Sequence, residues 1–213
     1  MDFENEIINN WLDQNKMIKP KKDNTDSGNG LLYNAIGAIL VGYDFNAIFL
    51  LGIIRCQIER GLYKRTPANT YGQESWDDYL GILAGCLLSG RTNEPREILW
   101  YGLKHFWFFN NTTSFNWAAF LLRFPQVFVP MVPAAFPWLK WPSLPFLWAV
   151  GKFMRLDAGD PGGVQMSWLY FYCCKKIGFE FKEYKQAVSM LPAAFLLYYD
   201  ATHPFISQSK EFK

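Results

Sequence analysis

Apolar stretches alternate with short polar clusters along the whole chain. The apolar stretches have about 9–18 residues, a length typical of helices rather than strands. No alternating run is bounded by the Asn-Gly or Asp-Gly turns of a hairpin. The pattern predicts helices over residues 3–14, 30–41, 45–59, 76–89, 95–109, 115–123, 144–156, 164–177 and 181–198. We therefore predict an all-α fold of sequential antiparallel helical hairpins, forming a single domain over residues 1–213.

Polar residues at the start of several apolar stretches indicate where helices begin. Asn93 precedes Glu94-Pro95, Asp160 precedes Pro161, and Ser114 and Ser143 each precede an apolar stretch. Such side chains accept a hydrogen bond from a free N–H of the first turn, and proline is well tolerated at the first helical position. We expect each of these four residues to stand at a helix N-terminus.

Residues 124–148, "FPQVFVPMVPAAFPWLKWPSLPFLW", interrupt this regularity because they contain six of the twelve prolines. A proline inside a helix lacks the N–H of one backbone hydrogen bond and clashes with the preceding turn. The segment is therefore predicted to be irregular. Its aromatic side chains favour two roles, a covering over the helical core or a surface that docks a partner.

The apolar stretch from Gly30 to Ile54 is long enough to cross a bilayer and carries one charge, Asp44. A carboxylate near the bilayer centre would cost roughly 2.5–3.5 kcal/mol. Gly42 and Asp44 instead favour a turn between two buried helices. A spanning segment is therefore not favoured, and neither is a membrane partner. The acidic, amphipathic N-terminus "MDFENEIINNWLDQNK" is not typical of a signal peptide.

Composition excludes several classes of function. Aromatic residues make up 18% of the chain, charged residues 19%, and the net charge is +2 without a basic stripe, so nucleic acid is not an expected partner. The cysteines lack the spacing of a disulfide framework or a zinc site, and the two histidines lack metal-ligand neighbours. We expect reduced, buried thiols, a packed His105, a turn role for His203, and no metal or cofactor. The cysteines are Cys56, Cys86, Cys173 and Cys174.

Two polar clusters carry the candidate site. The loop "GLYKRTPANTYGQ" leads into Ser75-Trp76-Asp77-Asp78, which fits a capping box with Ser75 at the N-cap and Asp78 reaching back. The second cluster, "DNTDSGNGLLYNAIG", opens the second predicted helix. Plain helix capping accounts for the carboxylates, whereas the loop's aromatic, amide and guanidinium groups suit a sugar ring and its hydroxyls. The candidate catalytic residues are Asp77, Asp26 and Asp78, and the candidate substrate-binding residues are Tyr63, Arg65, Tyr33, Asn29, Gln73 and Trp76.

These residues permit two kinds of glycan chemistry. Inverting hydrolysis needs two carboxyl groups about 6.5–9.5 Å apart, one acting as acid and one as base. Polyuronate lyases instead use a tyrosine or histidine base, with arginine or asparagine neutralising the uronate. We predict that the first cluster forms one wall of a cleft and that Asp26 and Tyr33 lie on the facing wall. Asp77 would then point outward as the acid or base, and Arg65 would bind a carboxylate.

Four short motifs along the chain are "DSGNGLLYNA", "GLYKRTP…QESWDDYLGI", "GDPGGVQMSWLYFY" and "YYDATHPF". In this order they resemble a set of uncharacterised helical proteins encoded by phages and prophages, whose layout is similar to the (α/α) toroids of glycan hydrolases and lyases. The resemblance implies a partial α/α toroid and a location in the host cytoplasm or the virion.

Two functions remain open, with a peripheral or integral membrane protein as the least favoured third. The first is a glycan-binding or glycan-cleaving protein, either a glycoside hydrolase or a polysaccharide lyase. The second is a non-enzymatic virion or accessory component that docks to other phage proteins through residues 124–148. The partners implied are a carbohydrate or other phage proteins, and homo-oligomerisation is compatible with both.

Overall fold

A computed structural model describes residues 3–24, 29–41, 46–68, 76–105, 117–154, 156 and 160–207. Its helices are α1 (Phe3–Asn10), α2 (Gly30–Val41), α3 (Asn46–Cys56), α4 (Trp76–Ser89), α5 (Asn93–Lys104), α6 (Trp117–Ala135), α7 (Lys140–Phe153), α8 (Pro161–Ile177), α9 (Glu183–Tyr198) and α10 (Pro204–Ser207). A 3₁₀ turn, Pro137–Leu139, joins α6 to α7. The all-α expectation is confirmed, whereas the toroid stays a prediction.

Helix α4 lies at the centre of the fold and packs against α2, α3, α5, α6 and α8. Every residue from Asp78 to Cys86 is buried, as expected for a helix that is apolar on all sides. Gly81 permits the closest approach, because a Cβ there would lie 2.9 Å from the Cα of Leu32 on α2. Helix α9 covers α8 on the far side. The helices α2 and α4, which are not consecutive in the chain, thereby come close at Leu32 and Gly81, near the N-terminal end of each.

The prediction of an irregular segment over residues 124–148 is wrong. Helix α6 continues through Pro125, Pro130 and Pro133, and α7 continues through Pro145. Each internal proline costs about 3 kcal/mol. Burial of an apolar side chain returns about 1.5–3 kcal/mol, and α6 buries a face at helical spacing, namely Val127, Phe128, Met131, Ala134 and Ala135. The one interruption is at Phe136, because a residue before proline avoids the helical conformation.

A small hairpin replaces the predicted end of the third helix. Residues 57–59, predicted as helical, form strand β1 (Gln57–Glu59), which pairs with β2 (Leu62–Tyr63) in an antiparallel sheet. Gly61 turns the chain with a φ of +86°, a conformation that favours glycine. Tertiary pairing therefore decides the conformation of a segment whose own sequence is compatible with a helix.

Of the four predicted helix starts, the structure confirms one, corrects two and does not describe the fourth. Asp160 caps α8, since its Oδ1 accepts the N–H of Gly163 at 2.9 Å. Helix α5 begins at Asn93, so its N-cap is Thr92 rather than Asn93. Ser143 is buried inside α7 and starts no helix, because α7 already begins at Lys140. Ser114 and the predicted turn at residues 42–45 lie outside the described residues.

The described helices are too short, or too polar, to cross a bilayer. The apolar stretch that suggested a span is divided between α2 and α3, of 12 and 11 residues.

Candidate functional site

The N-terminus of α2 is closed by groups from two other parts of the chain. The N–H of Leu31 donates to the carbonyl oxygen of Arg65 at 3.1 Å. The N–H of Leu32 donates to Oδ1 of Asp78 at 3.0 Å. A helix leaves its first four N–H groups without partners inside the helix, so these bonds satisfy donors that are buried here. Asp78 thus caps the neighbouring helix α2. Ser75 lies outside the described residues, so the predicted capping box of α4 stays a prediction.

Asp78 and Arg65 form a close, partly buried ion pair. Arg65 Nε lies 3.9 Å from Oδ2 of Asp78, whose side chain is 3% exposed against 39% for Arg65. Among the described residues, neither of these two atoms has a hydrogen-bond partner. Burial raises the pKa of the Asp78 carboxyl well above its usual value, and the charge of Asp77 adds to this; the Leu32 N–H and Arg65 oppose it. Asp78 is therefore a carboxyl that holds its proton more tightly than an exposed aspartate.

Tyr33 belongs to the same cluster. It is 8% exposed, and its ring meets the edge of Tyr199 at a centroid distance of 5.3 Å. Burial raises its pKa, followed by the negative charges of Asp78 and Asp77, while Arg65 lowers it. The structure thus brings together four of the predicted site residues, Tyr33, Arg65, Asp77 and Asp78, at the adjoining N-terminal ends of α2 and α4.

Other predicted site residues point elsewhere. Tyr63 is 2% exposed, its N–H donates to the hydroxyl of Tyr79 at 3.2 Å, and the two rings meet edge to face. Its ring is packed in the core and presents no face to a sugar. Trp76 is half-buried with its ring against Phe128, at a centroid distance of 5.7 Å. Tyr63 and Trp76 therefore serve packing in this structure.

The second polar cluster is described only in part. Asn29 contributes its main-chain carbonyl oxygen, which accepts the N–H of Tyr33 at 3.0 Å. Asn34 is fully buried, and its Oδ1 accepts the N–H of Ile18 at 2.9 Å. Asp26 and Gln73 lie outside the described residues, so the predicted pairing of Asp26 with Asp77 stays a prediction.

The cysteines and histidines occupy structural positions. All four cysteines are free and buried, and burial raises the pKa of each thiol. His203 is fully buried, and its Nδ1 accepts the N–H of Phe205 at 3.2 Å at the start of α10, which confirms the turn role. His105 is half-buried and stacks on Tyr101 at 4.2 Å. Within the described part of the chain, no group of three or more His, Cys, Asp or Glu side chains could hold a metal.

An exposed aromatic surface lies along α7, mostly within the segment 124–148 whose aromatic residues were expected either to cover the core or to dock a partner. What the sequence analysis missed is the helical conformation of this segment. Five large rings at or near this helix are more than half exposed: Trp138 (75%), Trp141 (70%), Phe146 (65%), Trp148 (57%) and Phe153 (77%). We call them the aromatic face. On α7 itself, exposed positions recur at helical spacing, as Trp141, Pro145, Trp148 and Lys152 and as Pro142, Phe146 and Phe153, whereas Ala149 is half-buried. This spacing was readable from the sequence once α7 was recognised as a helix.

Charge on α7 is confined to its two ends. Lys140 and Lys152 are its only charged residues. The Lys140 ammonium lies 5.6 Å from the Trp141 ring centroid, and the Lys152 ammonium lies 5.3 Å from that of Trp148. Such cation–π contacts order the exposed rings. The aromatic face is thus an apolar strip with Lys140 at one end and, at the other, Lys152 in an ion pair with Glu183 of α9.

No protein family, curated protein or solved structure matches the chain.

Proposed function

We propose that this protein is a non-enzymatic accessory component that attaches to a larger assembly through the aromatic face. The observation that carries the proposal is the exposure of five tryptophan and phenylalanine rings on one side of the molecule. Tryptophan is the residue type most enriched among the energetic centres of interfaces. An assembly that covers these rings would remove the cost of keeping them in water.

The size of the aromatic face supports the same proposal. An aromatic side chain presents about 150–250 Å² for burial, so five rings exposed by more than half present roughly 700 Å². The largest apolar patch on a typical monomer covers about 300–600 Å², and one side of a standard interface buries about 800 Å². The aromatic face is therefore larger than a monomer ordinarily exposes and close to what one docking site needs.

Fractionation of lysates from a bacterial host tests attachment without assuming the partner. We expect the wild-type chain to travel with particulate material in a density gradient. The double variant Trp141→Asp/Trp148→Asp should move to the soluble fraction, because two carboxylates would have to be desolvated at the contact. Trp100→Asp is the matched control, since Trp100 is 63% exposed on α5, away from the aromatic face. A wild-type chain that stays wholly in the soluble fraction contradicts the proposal.

A second function, glycan recognition or cleavage within a partial α/α toroid of phage origin, is favoured by a different observation. Tyr33, Arg65, Asp77 and Asp78 lie together, and Asp78 has a raised pKa of the kind that general acids require. In this proposal Asp78 holds the proton, Asp77 is the outward-facing acid or base, and Arg65 binds a substrate carboxylate.

A panel of neutral and anionic polysaccharides, incubated with pure protein, tests this second function. We expect Asp77→Asn to abolish cleavage with little loss of stability, since Asp77 is half-buried at the helix start. Glu59→Gln is the matched control, because Glu59 is an exposed carboxylate on β1 outside the cluster. A panel left uncut by wild-type protein defeats the catalytic proposal, and binding without cleavage leaves recognition alone.

A further inference from the structure

We propose that the aromatic face docks on the interfacial region of an anionic lipid bilayer, and that an adjoining basic cavity receives a lipid phosphate group. This inference rests on the proposed function, because it names the partner of the same docking surface. It joins two observations, the apolar strip along α7 and a cavity at one end of this strip that is lined by three cationic side chains.

The cavity has a volume of about 230 Å³ and adjoins the start of α7. Arg91, Lys140 and Lys176 bring cationic groups to it, and Thr92 brings a hydroxyl. Pro137 also lines it and is the immediate neighbour of Trp138. Because Lys140 and Pro137 adjoin Trp141 and Trp138, the cavity is continuous with one end of the aromatic face.

The cationic groups of the cavity are incompletely neutralised. Arg91 forms an ion pair with Glu94. Lys140 and Lys176 rest instead on aromatic rings, with ammonium-to-centroid distances of 5.2 Å to Phe179 and 5.4 Å to Tyr172. Among the described residues that line the cavity, none is acidic. The cavity therefore offers a net positive environment and a hydroxyl donor, which is the chemistry that binds a phosphate monoanion.

The charges near the two ends of the strip differ. Lys152 is paired with Glu183 of α9, since its Nζ lies 3.8 Å from Oε1 of that residue. At the other end, Lys140 and Lys176 contact aromatic rings and line the cavity, whose described lining contains no acidic residue. A fitting partner is therefore apolar along the strip and anionic at the cavity.

An anionic bilayer has both properties. Tryptophan rings are enriched at the boundary between the acyl chains and the headgroups. An apolar helix face lies in that boundary, while lysines beside it, here Lys140 and Lys176 at the cavity, extend toward anionic headgroups. At 14 residues α7 is too short to span the membrane, so it would lie on the surface.

Co-sedimentation of the full-length protein with lipid vesicles tests the inference. One vesicle population contains phosphatidylcholine alone, and the other contains three parts phosphatidylcholine to one part phosphatidylglycerol. We expect clear binding to the anionic vesicles that weakens as salt is added, because headgroup attraction is screened.

Two double variants separate the apolar contribution of the aromatic face from the electrostatic contribution of the cavity. Trp141→Asp/Trp148→Asp should weaken binding to both vesicle populations by about tenfold or more, through loss of apolar contact. Lys140→Glu/Lys176→Glu should weaken binding to the anionic vesicles by about tenfold or more and leave the weak binding to neutral vesicles unchanged. Trp100→Asp and Lys104→Glu on α5 are the matched controls and should bind as the wild type does. All six side chains are largely exposed or at the cavity rim, so circular dichroism should show unchanged folding.

Inorganic phosphate, titrated without vesicles, distinguishes a free anion from a headgroup. We expect it to bind far more weakly than the anionic vesicles, because it makes no use of the aromatic face. Binding of phosphate without binding of vesicles would overturn the bilayer as the partner, as would anionic vesicle binding that Trp141→Asp/Trp148→Asp leaves unchanged.

Sedimentation velocity without lipid tests whether a second copy of the chain is the partner instead. A wild-type dimer that Trp141→Asp/Trp148→Asp converts to a monomer would overturn the inference in favour of a second copy. The wild-type protein could fail to bind anionic vesicles and still travel with particulate material in a manner that depends on Trp141 and Trp148. That result would defeat the bilayer inference and leave the docking function standing. A wild-type protein that neither binds anionic vesicles nor travels with particulate material would defeat the docking function itself.

Discussion

His203 should make the stability of this protein depend on pH below neutrality. The side chain is fully buried, and its ring lies 4.2 Å from the ring of Trp11 and 4.5 Å from that of Phe205. Nδ1 accepts the N–H of Phe205, so the neutral ring carries its proton on Nε2, which lies 3.1 Å from the carbonyl oxygen of Lys19. Burial lowers the pKa of His203 to about 3, although the Lys19 carbonyl and the charge of Asp200 oppose this.

The size and sign of the effect follow from the difference between the folded and unfolded proteins. An unfolded histidine has a pKa of about 6.5. Below that pH the unfolded chain therefore binds a proton that the folded protein does not bind. The free energy of unfolding should therefore fall as the pH falls from 6.5 toward 3. At about 1.4 kcal/mol per pH unit, the full loss from this one group is about 5 kcal/mol.

Urea unfolding measured at a series of pH values from 7.5 to 4.5 tests this expectation. Between pH 7.5 and 4.5 the wild type should lose about 2.7 kcal/mol through His203, and His203→Gln should lack this part of the slope because glutamine does not titrate. The slope is the readout, so a uniform loss of stability in His203→Gln does not affect the test.

Equal slopes in the wild type and His203→Gln would refute the reasoning. Direct titration of the wild-type His203 ring by nuclear magnetic resonance gives a second measurement. A ring that becomes protonated near pH 6.5 in the folded protein would likewise show that its burial does not exclude the charge.

Three further substitutions test single features of the fold. The free energy of unfolding of the wild type should fall as the pH rises above about 4, because the folded protein binds the Asp78 proton more tightly than the unfolded chain does. Asp78→Asn should lack this fall, and urea unfolding between pH 4 and pH 7 measures the difference. Asp160→Ala should cost about 1 kcal/mol of stability through loss of the α8 cap, measured by urea unfolding with the exposed Glu180→Ala as control. Gly61→Ala should cost more than about 2 kcal/mol, because a Cβ at this positive φ would collide with the carbonyl of Glu97, and thermal unfolding should show a clearly lowered midpoint.

The distribution of apolar and polar residues was sufficient to predict most helices. The predicted spans 30–41 and 76–89 coincide with α2 and α4, and the start of α8 was recognised from Asp160 and Pro161. These features depend on contacts between residues a few positions apart in the chain. Local spacing and local capping therefore predicted them without knowledge of the tertiary fold.

The candidate site was predictable only as a set of neighbouring residues. The sequence placed Asp77 and Asp78 at a helix start, because Ser75 and the two carboxylates form a recognisable local pattern. It could not show that Oδ1 of Asp78 accepts the N–H of Leu32, since the two residues are far apart in the chain. Nor could it show that Tyr63 packs beneath Tyr79, because ring contacts depend on how the hairpin meets α4.

What the sequence by itself determined is the all-α character of the protein and the position of its principal helices, since both follow from residue spacing. The tertiary structure decided which proline-containing segments are helical, because burial of the α6 face offsets the backbone hydrogen bonds that prolines remove. It also decided which apolar residues are covered. Val127 and Phe128 on α6 are buried, whereas Trp141 and Trp148 on α7 are exposed. An aromatic side chain contributes the same apolar surface in either place, and only the packing of neighbouring helices determines whether that surface meets the core or remains available to a partner.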